Sequence, residues 1–223
     1  MEAKPKKQRI TSIDILRGMT IAGMILVNNP GGPEEATYAP LQHAEWFGLT
    51  PTDLIFPFFM FIMGIPTYLS LKKFKFEWST ACALKILKRA SLLWLIGLGL
   101  SLLFMPCRGT EDPLGHLRIL GVFPRLGICY GLAALIGITV KHKFLPWLIA
   151  AMFVVYWILL VTMNGYAHDE TNIIAIIDNA ILGANHVYRW ESPDPEGILS
   201  TIPALGHVLI GFCVGKFVME LHD

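Results

Sequence analysis

An apolar run without a single charge, from Leu54 to Leu71, constrains this chain more than any other feature. A helix over this run, at about 1.5 Å per residue, approaches the roughly 30 Å thickness of a bilayer's hydrocarbon core. Pro57 and Pro66 lie inside it and predict kinks. The composition agrees, because 54% of the residues are hydrophobic and 16% are charged. Such values are not those of an ordinary soluble domain.

Five further apolar runs follow the same pattern, so the sequence predicts an all-α polytopic transmembrane bundle with about six spans. Their approximate ranges are 10–28, 54–71, 90–107, 119–140, 144–166 and 198–217. Lys85, Lys88 and Arg89 suggest a separate interfacial helix before the third span. The first apolar run lacks a cleavage site of small residues, and we therefore interpret it as a retained span rather than a signal peptide.

The lysines predict the orientation of the bundle. With the N-terminus in the cytoplasm, every lysine falls on the cytoplasmic side, including those of a basic tail over residues 1–9. The outer loops then carry arginine as their only basic residue apart from histidine. The loop that precedes the second span, and an acid-rich loop after the fifth, are predicted to lie outside.

Several classes of function lack sequence support. The net charge is +1, and no basic block alternates with aromatic residues, so we predict no nucleic-acid partner. The four cysteines have no metal-type spacing, and we predict no metal. The chain has no P-loop, no G-x-S-x-G elbow and no H-E-x-x-H motif.

A cluster of polar residues at the start of the second span is the strongest candidate for a site. His43, Glu45, Trp46 and Asp53 all fall within this approach. Titratable groups beside a membrane helix are costly and often functional. The alternative is a hydrated interfacial loop in which Trp46 is an aromatic anchor. Asp53 could orient His43 through a ring N–H, or it could simply be a first-turn carboxylate that the helix dipole favours.

Four stretches resemble the heparan-α-glucosaminide N-acetyltransferase family of polytopic membrane acyltransferases and its bacterial relatives. They are SIDILRGMTIAGMILVNNPG, HAEWFGLTPTDLIFPFFMFIMG, RLGICYG and DPEGILSTIPA, and together they extend over nearly the whole chain. The resemblance implies ten or eleven spans in the family, and hence that residues 1–223 form a single acyltransferase-type domain that is incomplete at its C-terminus. It also implies a multi-pass protein of a bacterial inner membrane.

The resemblance implies transfer of an acetyl group from cytosolic acetyl-CoA to an amino sugar or related glycan on the outer face. His43 matches the family's catalytic histidine, which would act as a general base or as a transient acyl carrier; the alternative is an ordinary loop histidine. Asn28 aligns with the asparagine of the family's VN-x-GG segment. Its amide could stabilise an oxyanion, or it could merely end a helix. Besides this acceptor, the expected partners are acetyl-CoA and the lipid bilayer, and the sequence leaves a homodimer undecided.

Four basic residues are candidates for binding the cofactor, and each has a simpler explanation. Arg17 could contact a nucleotide, but it also lies one helical turn from Asp14 and can pair with it. Lys72 and Lys73 suit phosphates, yet the positive-inside rule already accounts for them. Arg125 falls within the fourth span, where a guanidinium requires an anion or carbonyl groups.

A transporter is the alternative from another functional class. Spans that contain proline, and polar residues within the membrane, would also suit a protein that binds a solute. His207 in the last span could suggest haem, but no second histidine at a suitable depth accompanies it. We therefore expect a histidine that is hydrogen-bonded within the bundle.

Overall fold

A computed structural model describes residues 11–29, 31, 37–46, 48–105, 112–188 and 193–222, and the predicted basic tail lies outside these ranges. Within them the regular secondary structure is entirely helical, which confirms the all-α prediction. The α-helices are α1 (Thr11–Asn28), α2 (Pro51–Lys72), α3 (Thr80–Phe104), α4 (Val122–Thr139), α5 (Leu145–Thr162), α6 (Ile173–Ile181) and α7 (Thr201–His222).

Five of the described helices, α2, α3, α4, α5 and α7, are long and apolar enough to cross a membrane. The 18-residue α1 corresponds to the first predicted span, 10–28, but it is not among these five helices and contains two charged residues. Arg17 and Asp14 lie 3.6 Å apart, which confirms the predicted ion pair. The assignment of α1 as a membrane span remains a prediction. α2 continues through both of its prolines.

The predicted interfacial helix before the third span is wrong. The basic residues that suggested it belong to α3, a single helix of 25 residues that begins at its N-cap Ser79. The Ser79 hydroxyl accepts a hydrogen bond from the Cys82 backbone N–H at 3.2 Å, and such a cap is a common start for a helix. Lys85, Lys88 and Arg89 therefore lie in the first three turns of α3.

The helices bring the connecting segments together at two ends. We call the end where α2 begins the histidine end; it comprises residues 37–46, 48–50, 112–121, 163–188 and 193–200. The opposite lysine end comprises residues 73–79, 140–144 and 216–222. Contacts between segments support this division: the Trp46 indole N–H donates to the Tyr166 carbonyl oxygen at the first end. At the second end, the rings of Phe76 and His142 lie 4.6 Å apart.

Close contact between α2 and α7 forms the centre of the bundle. A methyl group at Gly64 would overlap the Val208 carbonyl oxygen, and one at Gly211 would overlap that of Phe61. Glycines at these points let the two backbones approach, as in many membrane helix pairs. Buried side chains of α2, α4, α5 and α7 surround this contact. α3 and α5 bury little of their apolar surface within the described bundle, as expected for helices that contact lipid.

Candidate active site

The first turn of α2 fixes the loop that carries His43. Thr50 is the N-cap residue, and its backbone N–H donates to Asp53 Oδ2 at 2.9 Å. The Thr52 hydroxyl is buried and donates to the Pro40 carbonyl oxygen at 3.1 Å. The Gln42 carbonyl oxygen accepts from the Thr50 hydroxyl at 2.8 Å. A T-x-x-D sequence at the start of a helix favours this reciprocal cap, so the local sequence itself ties the loop to the helix.

The structure brings His43 and Asp53 together. The Nδ1 atom of His43 lies 2.7 Å from Asp53 Oδ1. Because an ionised carboxylate can only accept hydrogen bonds, this contact places a proton on Nδ1, so that in the neutral imidazole Nε2 is the nitrogen with the lone pair. The Ala44 backbone N–H lies 3.3 Å from Asp53 Oδ2. Both roles considered for Asp53 are therefore present at once, because the same carboxylate caps the helix and holds the imidazole.

His43 is exposed even though its ring orientation is fixed. Its side chain is 74% exposed, whereas that of Asp53 is 23% exposed. A small molecule can thus reach Nε2 from solvent at the histidine end. The arrangement, a carboxylate behind an imidazole with one free ring nitrogen, can abstract a proton or attack an activated carbonyl.

Sequence reasoning missed the contact that connects this loop to the segment between α5 and α6. Trp46 donates its indole N–H to the Tyr166 carbonyl oxygen at 2.9 Å. The ring of His168 stacks on the indole, with centroids 4.2 Å apart and an angle of 25° between the planes. These partners lie about 120 residues away along the chain, so no local pattern could have paired them.

Asn28 lies at the last position of α1, and its amide is engaged within its own helix. The Nδ2 atom donates to the Met24 carbonyl oxygen at 2.8 Å. This is the geometry of a helix-terminating asparagine. To stabilise an oxyanion, the side chain would have to rotate away from this carbonyl.

The basic candidates for the cofactor lie at different depths. Arg17 lies on the half of α1 that is farther from the histidine end and contacts Asp14, with side chains 45% and 51% exposed. Lys72 and Lys73 end α2 at the lysine end. The structure therefore does not bring these three residues to His43.

Arg125 is buried in the first turn of α4 and contacts the segment before α7. Its Nη2 atom donates to the Gly197 carbonyl oxygen at 2.9 Å and to the Ser200 hydroxyl. The guanidinium of Arg125 thus has the carbonyl partner that the sequence predicted for it. Asp53 is not among the contacts of Arg125. Its Nε atom is buried and has no hydrogen-bond partner among the residues that the structure describes. His207 likewise donates from Nδ1 to the Pro203 carbonyl oxygen at 2.8 Å, as expected for a hydrogen-bonded bundle histidine.

A second arginine, which sequence reasoning did not single out, organises the same segment. Arg118 Nε lies 3.1 Å from Asp194 Oδ2, and its guanidinium also contacts Glu196. Burial lowers the pKa of Arg118, but these two carboxylates outweigh that effect and raise it above its usual value. Asp178 accepts from the Ile198 backbone N–H at 2.8 Å, and burial raises the pKa of its carboxyl group. The DPEG motif was visible in the sequence, but its partners were not.

A cavity of about 490 Å³ lies at the histidine end, between the end of α3 and the start of α4. Its polar lining comprises Ser101, His116, Arg118 and Tyr188, and His43 is not part of it. Among the described residues, no group of three or more histidine, cysteine or acidic side chains is arranged to bind a metal ion.

Comparisons with known proteins agree with the motifs. The profile of the family described as heparan-alpha-glucosaminide N-acetyltransferase, catalytic, matches residues 9–222. The chain is 27% identical to the heparan-alpha-glucosaminide N-acetyltransferase of Mus musculus, over 96% of this chain and 40% of that protein. For the Homo sapiens protein of the same name, the identity is 28%, over 95% of this chain and 39% of that protein. The chain thus matches about two fifths of the length of these relatives. Because the profile extends over nearly all of its residues, the chain belongs to the heparan-alpha-glucosaminide N-acetyltransferase catalytic family.

Proposed function

We propose that this protein transfers an acetyl group from acetyl-CoA to the amine of an amino sugar or related glycan, and that His43 is the catalytic residue. Membership of a membrane acetyltransferase family supports the reaction class and favours it over a transporter. The contact between His43 Nδ1 and Asp53 Oδ1, at 2.7 Å, is the observation that carries the assignment of the residue. It leaves a basic Nε2 on an exposed ring.

Two sequences of steps are compatible with this geometry. In direct transfer, the acceptor nitrogen attacks the thioester carbonyl while Nε2 takes its proton; the tetrahedral intermediate then collapses, the C–S bond breaks, and the leaving thiolate receives that proton. In the alternative, Nε2 itself attacks and the thiolate leaves; the amine then displaces the imidazole from an acetyl-histidine, and the freed Nε2 takes the amine's proton and passes it to the thiolate. In both, Asp53 holds Nδ1–H and stabilises the positive charge that develops on the ring. We propose that Asn28, after rotation, donates to the oxyanion.

The length of the donor molecule suggests which cations could hold it. About thirteen bonds separate the sulfur of coenzyme A from its diphosphate, which at about 1.2 Å per bond gives a reach of roughly 16 Å. Along α2, Asp53 and Lys72 are separated by roughly 29 Å at 1.5 Å per residue. A thioester beside His43 therefore leaves the diphosphate well short of Lys72 and Lys73.

We propose instead that Arg17 binds the diphosphate and that Lys72 and Lys73 attract the anion from the cytoplasm. Arg17 precedes Asn28 by three turns of α1, roughly 16 Å along the helix axis, which matches the reach of the arm. The C-terminal half of α1 contacts the start of α2, because a methyl group at Gly23 would lie 2.9 Å from Ile55 Cδ1. Arg125 lies closer to the histidine end, and its Nε could donate to a carbonyl oxygen of the arm.

We further propose that the histidine end faces outward and the lysine end faces the cytoplasm of a bacterium, with the protein in the inner membrane. The distribution of lysines supports this orientation, because described lysines such as Lys75, Lys141 and Lys216 fall at or near one end. Acetyl-CoA is made on the side that these lysines would face, whereas the acceptor would approach the exposed His43 from the other side.

The His43→Ala variant tests the catalytic assignment. With purified protein in proteoliposomes, labelled acetyl-CoA and glucosamine as acceptor, we expect a loss of turnover of about 100- to 10,000-fold, the usual contribution of a general acid–base group. His207→Asn is the matched control and should keep its specific activity. Near-normal turnover of His43→Ala would refute the assignment. A wild-type protein that transfers nothing to any amine would refute the function.

A further inference from the structure

We infer that the cavity between α3 and α4 binds a neutral amphiphile from the membrane, one whose head group carries several hydroxyl groups, as the head group of a glycolipid does. The cavity has a volume of about 490 Å³, and His43 does not line it. Ligand sites of this size usually combine apolar walls with a few polar groups that fix the orientation of the ligand. The inference goes beyond the proposed function and does not depend on catalysis by His43.

The walls of the cavity are mostly apolar and belong to two candidate membrane spans. The last two turns of α3 contribute Leu100 and Phe104, and the first turn of α4 contributes Val122 and Phe123. All four side chains are exposed. Because both helices are long and apolar enough to cross a membrane, we expect these side chains to contact lipid. An amphiphile can therefore enter the cavity from the bilayer, between the ends of the two helices.

Arg118 provides a hydrogen-bond donor of fixed orientation at this cavity. Its Nε atom lies 3.1 Å from Asp194 Oδ2, and its Nη2 atom contacts both Asp194 and Glu196. The guanidinium carbon lies 4.6 Å from the centre of the Tyr188 ring. Nη1 has no hydrogen-bond partner among the residues that the structure describes. A methyl group at Gly121, which also lines the cavity, would lie 3.6 Å from Nη1. This edge of the guanidinium can thus donate to an oxygen atom of a ligand in the cavity.

The charges beside the cavity favour a ligand without net charge. Arg118 and Arg125 carry two positive charges, and the carboxylates of Asp194 and Glu196, which interact electrostatically with both arginines, carry two negative charges. A phosphate at Nη1 would be attracted by the guanidinium but repelled by the two carboxylates behind it, and an ammonium group would meet the opposite combination. A hydroxyl oxygen can accept from Nη1 without either repulsion.

The head group, rather than the alkyl chain, should determine which amphiphiles bind. Lipid chains are as apolar as the cavity walls, so a chain that moves from the bilayer into the cavity gains little free energy. A hydrogen bond from an ionised donor such as Arg118 is stronger than one between neutral groups. The hydroxyl of Ser101 also lines the cavity and supplies a second polar group. Because a sugar has several hydroxyls that both donate and accept, it suits this set of groups better than an alcohol with one hydroxyl.

Photolabelling of the wild-type protein in phosphatidylcholine nanodiscs tests the inference. The probe is dodecyl glucoside with a diazirine in its alkyl chain, and mass spectrometry locates the label. We expect the label to concentrate at residues 97–105 and 120–124, which contain the walls from α3 and α4. At equal mole fraction in the bilayer, unlabelled dodecyl glucoside should compete about tenfold better than dodecyl phosphate or dodecylammonium, the value of one hydrogen bond from a charged group. Equal competition by all three, or label spread evenly over α3 and α5, would overturn the inference.

Two leucine substitutions provide a variant and its matched control. The backbone at Gly121 is extended, with φ at 175°, so other residues can adopt it. Gly121→Leu places a side chain beside Arg118 Nη1 and should lower the labelling at least about tenfold, whereas Gly121→Ala should keep most of it. Gly99→Leu adds the same side chain on α3 at a point where a methyl group meets nothing within 4 Å, and its labelling should equal that of wild type.

Unchanged labelling of a folded Gly121→Leu protein would also overturn the inference. The competition between head groups uses only the wild-type protein, so it decides the matter even where Gly121→Leu does not fold. Neither experiment measures acetyl transfer. A failure of the proposed function, seen as absent transfer, is therefore distinct from a failure of this inference.

Discussion

Replacement of Asp53 by asparagine should remove activity while preserving the fold of the loop. An asparagine can keep its oxygen on the Thr50 backbone N–H, which now donates to Asp53 at 2.9 Å. Its amide nitrogen must then face His43 Nδ1. Because an amide N–H2 only donates, it favours the tautomer with the proton on Nε2. The imidazole would then lack the lone pair that the reaction needs.

The expected loss of activity follows from this change of the histidine tautomer. Where a carboxylate that orients a catalytic histidine becomes an amide, losses approach those for the histidine itself, so we expect kcat to fall about 100- to 10,000-fold. Thr50→Val is the comparison, because it keeps the Asp53 carboxylate opposite His43 but removes the hydroxyl that contacts Gln42 and Asp53 Oδ2. It should cost about 1 kcal/mol of stability and lower kcat far less than Asp53→Asn does.

The assay is acetyl transfer to glucosamine in proteoliposomes, with thermal unfolding measured in parallel. The double variant, His43→Ala with Asp53→Asn, should be no slower than His43→Ala alone, because residues that act as a unit are not additive. Activity of Asp53→Asn within about threefold of wild type would refute the orienting role. The orienting role would also be refuted if the losses of activity caused by the two substitutions were fully additive in free energy.

The remaining predictions concern the binding of acetyl-CoA and the orientation in the membrane. Arg17→Gln should raise the KM for acetyl-CoA about tenfold or more, which is the value of a charged hydrogen bond. Lys72→Gln should instead lower mainly the association rate of acetyl-CoA, and this effect should disappear at high salt. Equal, salt-independent effects of the two substitutions would contradict the argument from the length of the donor molecule. In intact spheroplasts, an impermeant maleimide should label Glu170→Cys and spare Glu77→Cys, both exposed positions at opposite ends; the reverse pattern would overturn the orientation.

Much of the fold was predictable because the hydrocarbon core of a membrane contains no water to bond with the backbone. Backbone groups in lipid must bond within their own segment, so an apolar run such as Leu54–Leu71 specifies a helix almost by itself. The helix boundaries were harder to predict. The sequence suggested a break before residue 90, but α3 runs from Thr80 without one, because basic side chains near a helix end can extend toward water without interrupting it.

The site was predictable only where its contacts are local. The pairing of His43 with Asp53 spans ten residues and follows from the cap at Thr50. The ion pair between Arg118 and Asp194 joins residues 76 positions apart, and the contact of Trp46 with Tyr166 joins still more distant ones. Such pairs depend on how helices associate, which hydrophobic periodicity does not determine.

The double role of Asp53 connects the stability of α2 with the chemistry of His43. The same carboxylate closes the first turn of α2 and holds the imidazole, so any state in which that turn frays also loses the oriented base. Helix ends open more readily than helix centres. The buried hydroxyl of Thr52, which donates to Pro40, and the hydrogen bond from Trp46 to Tyr166 both oppose this fraying. We therefore expect that packing of the α5–α6 segment against Trp46 raises the fraction of molecules in which Asp53 holds the imidazole of His43.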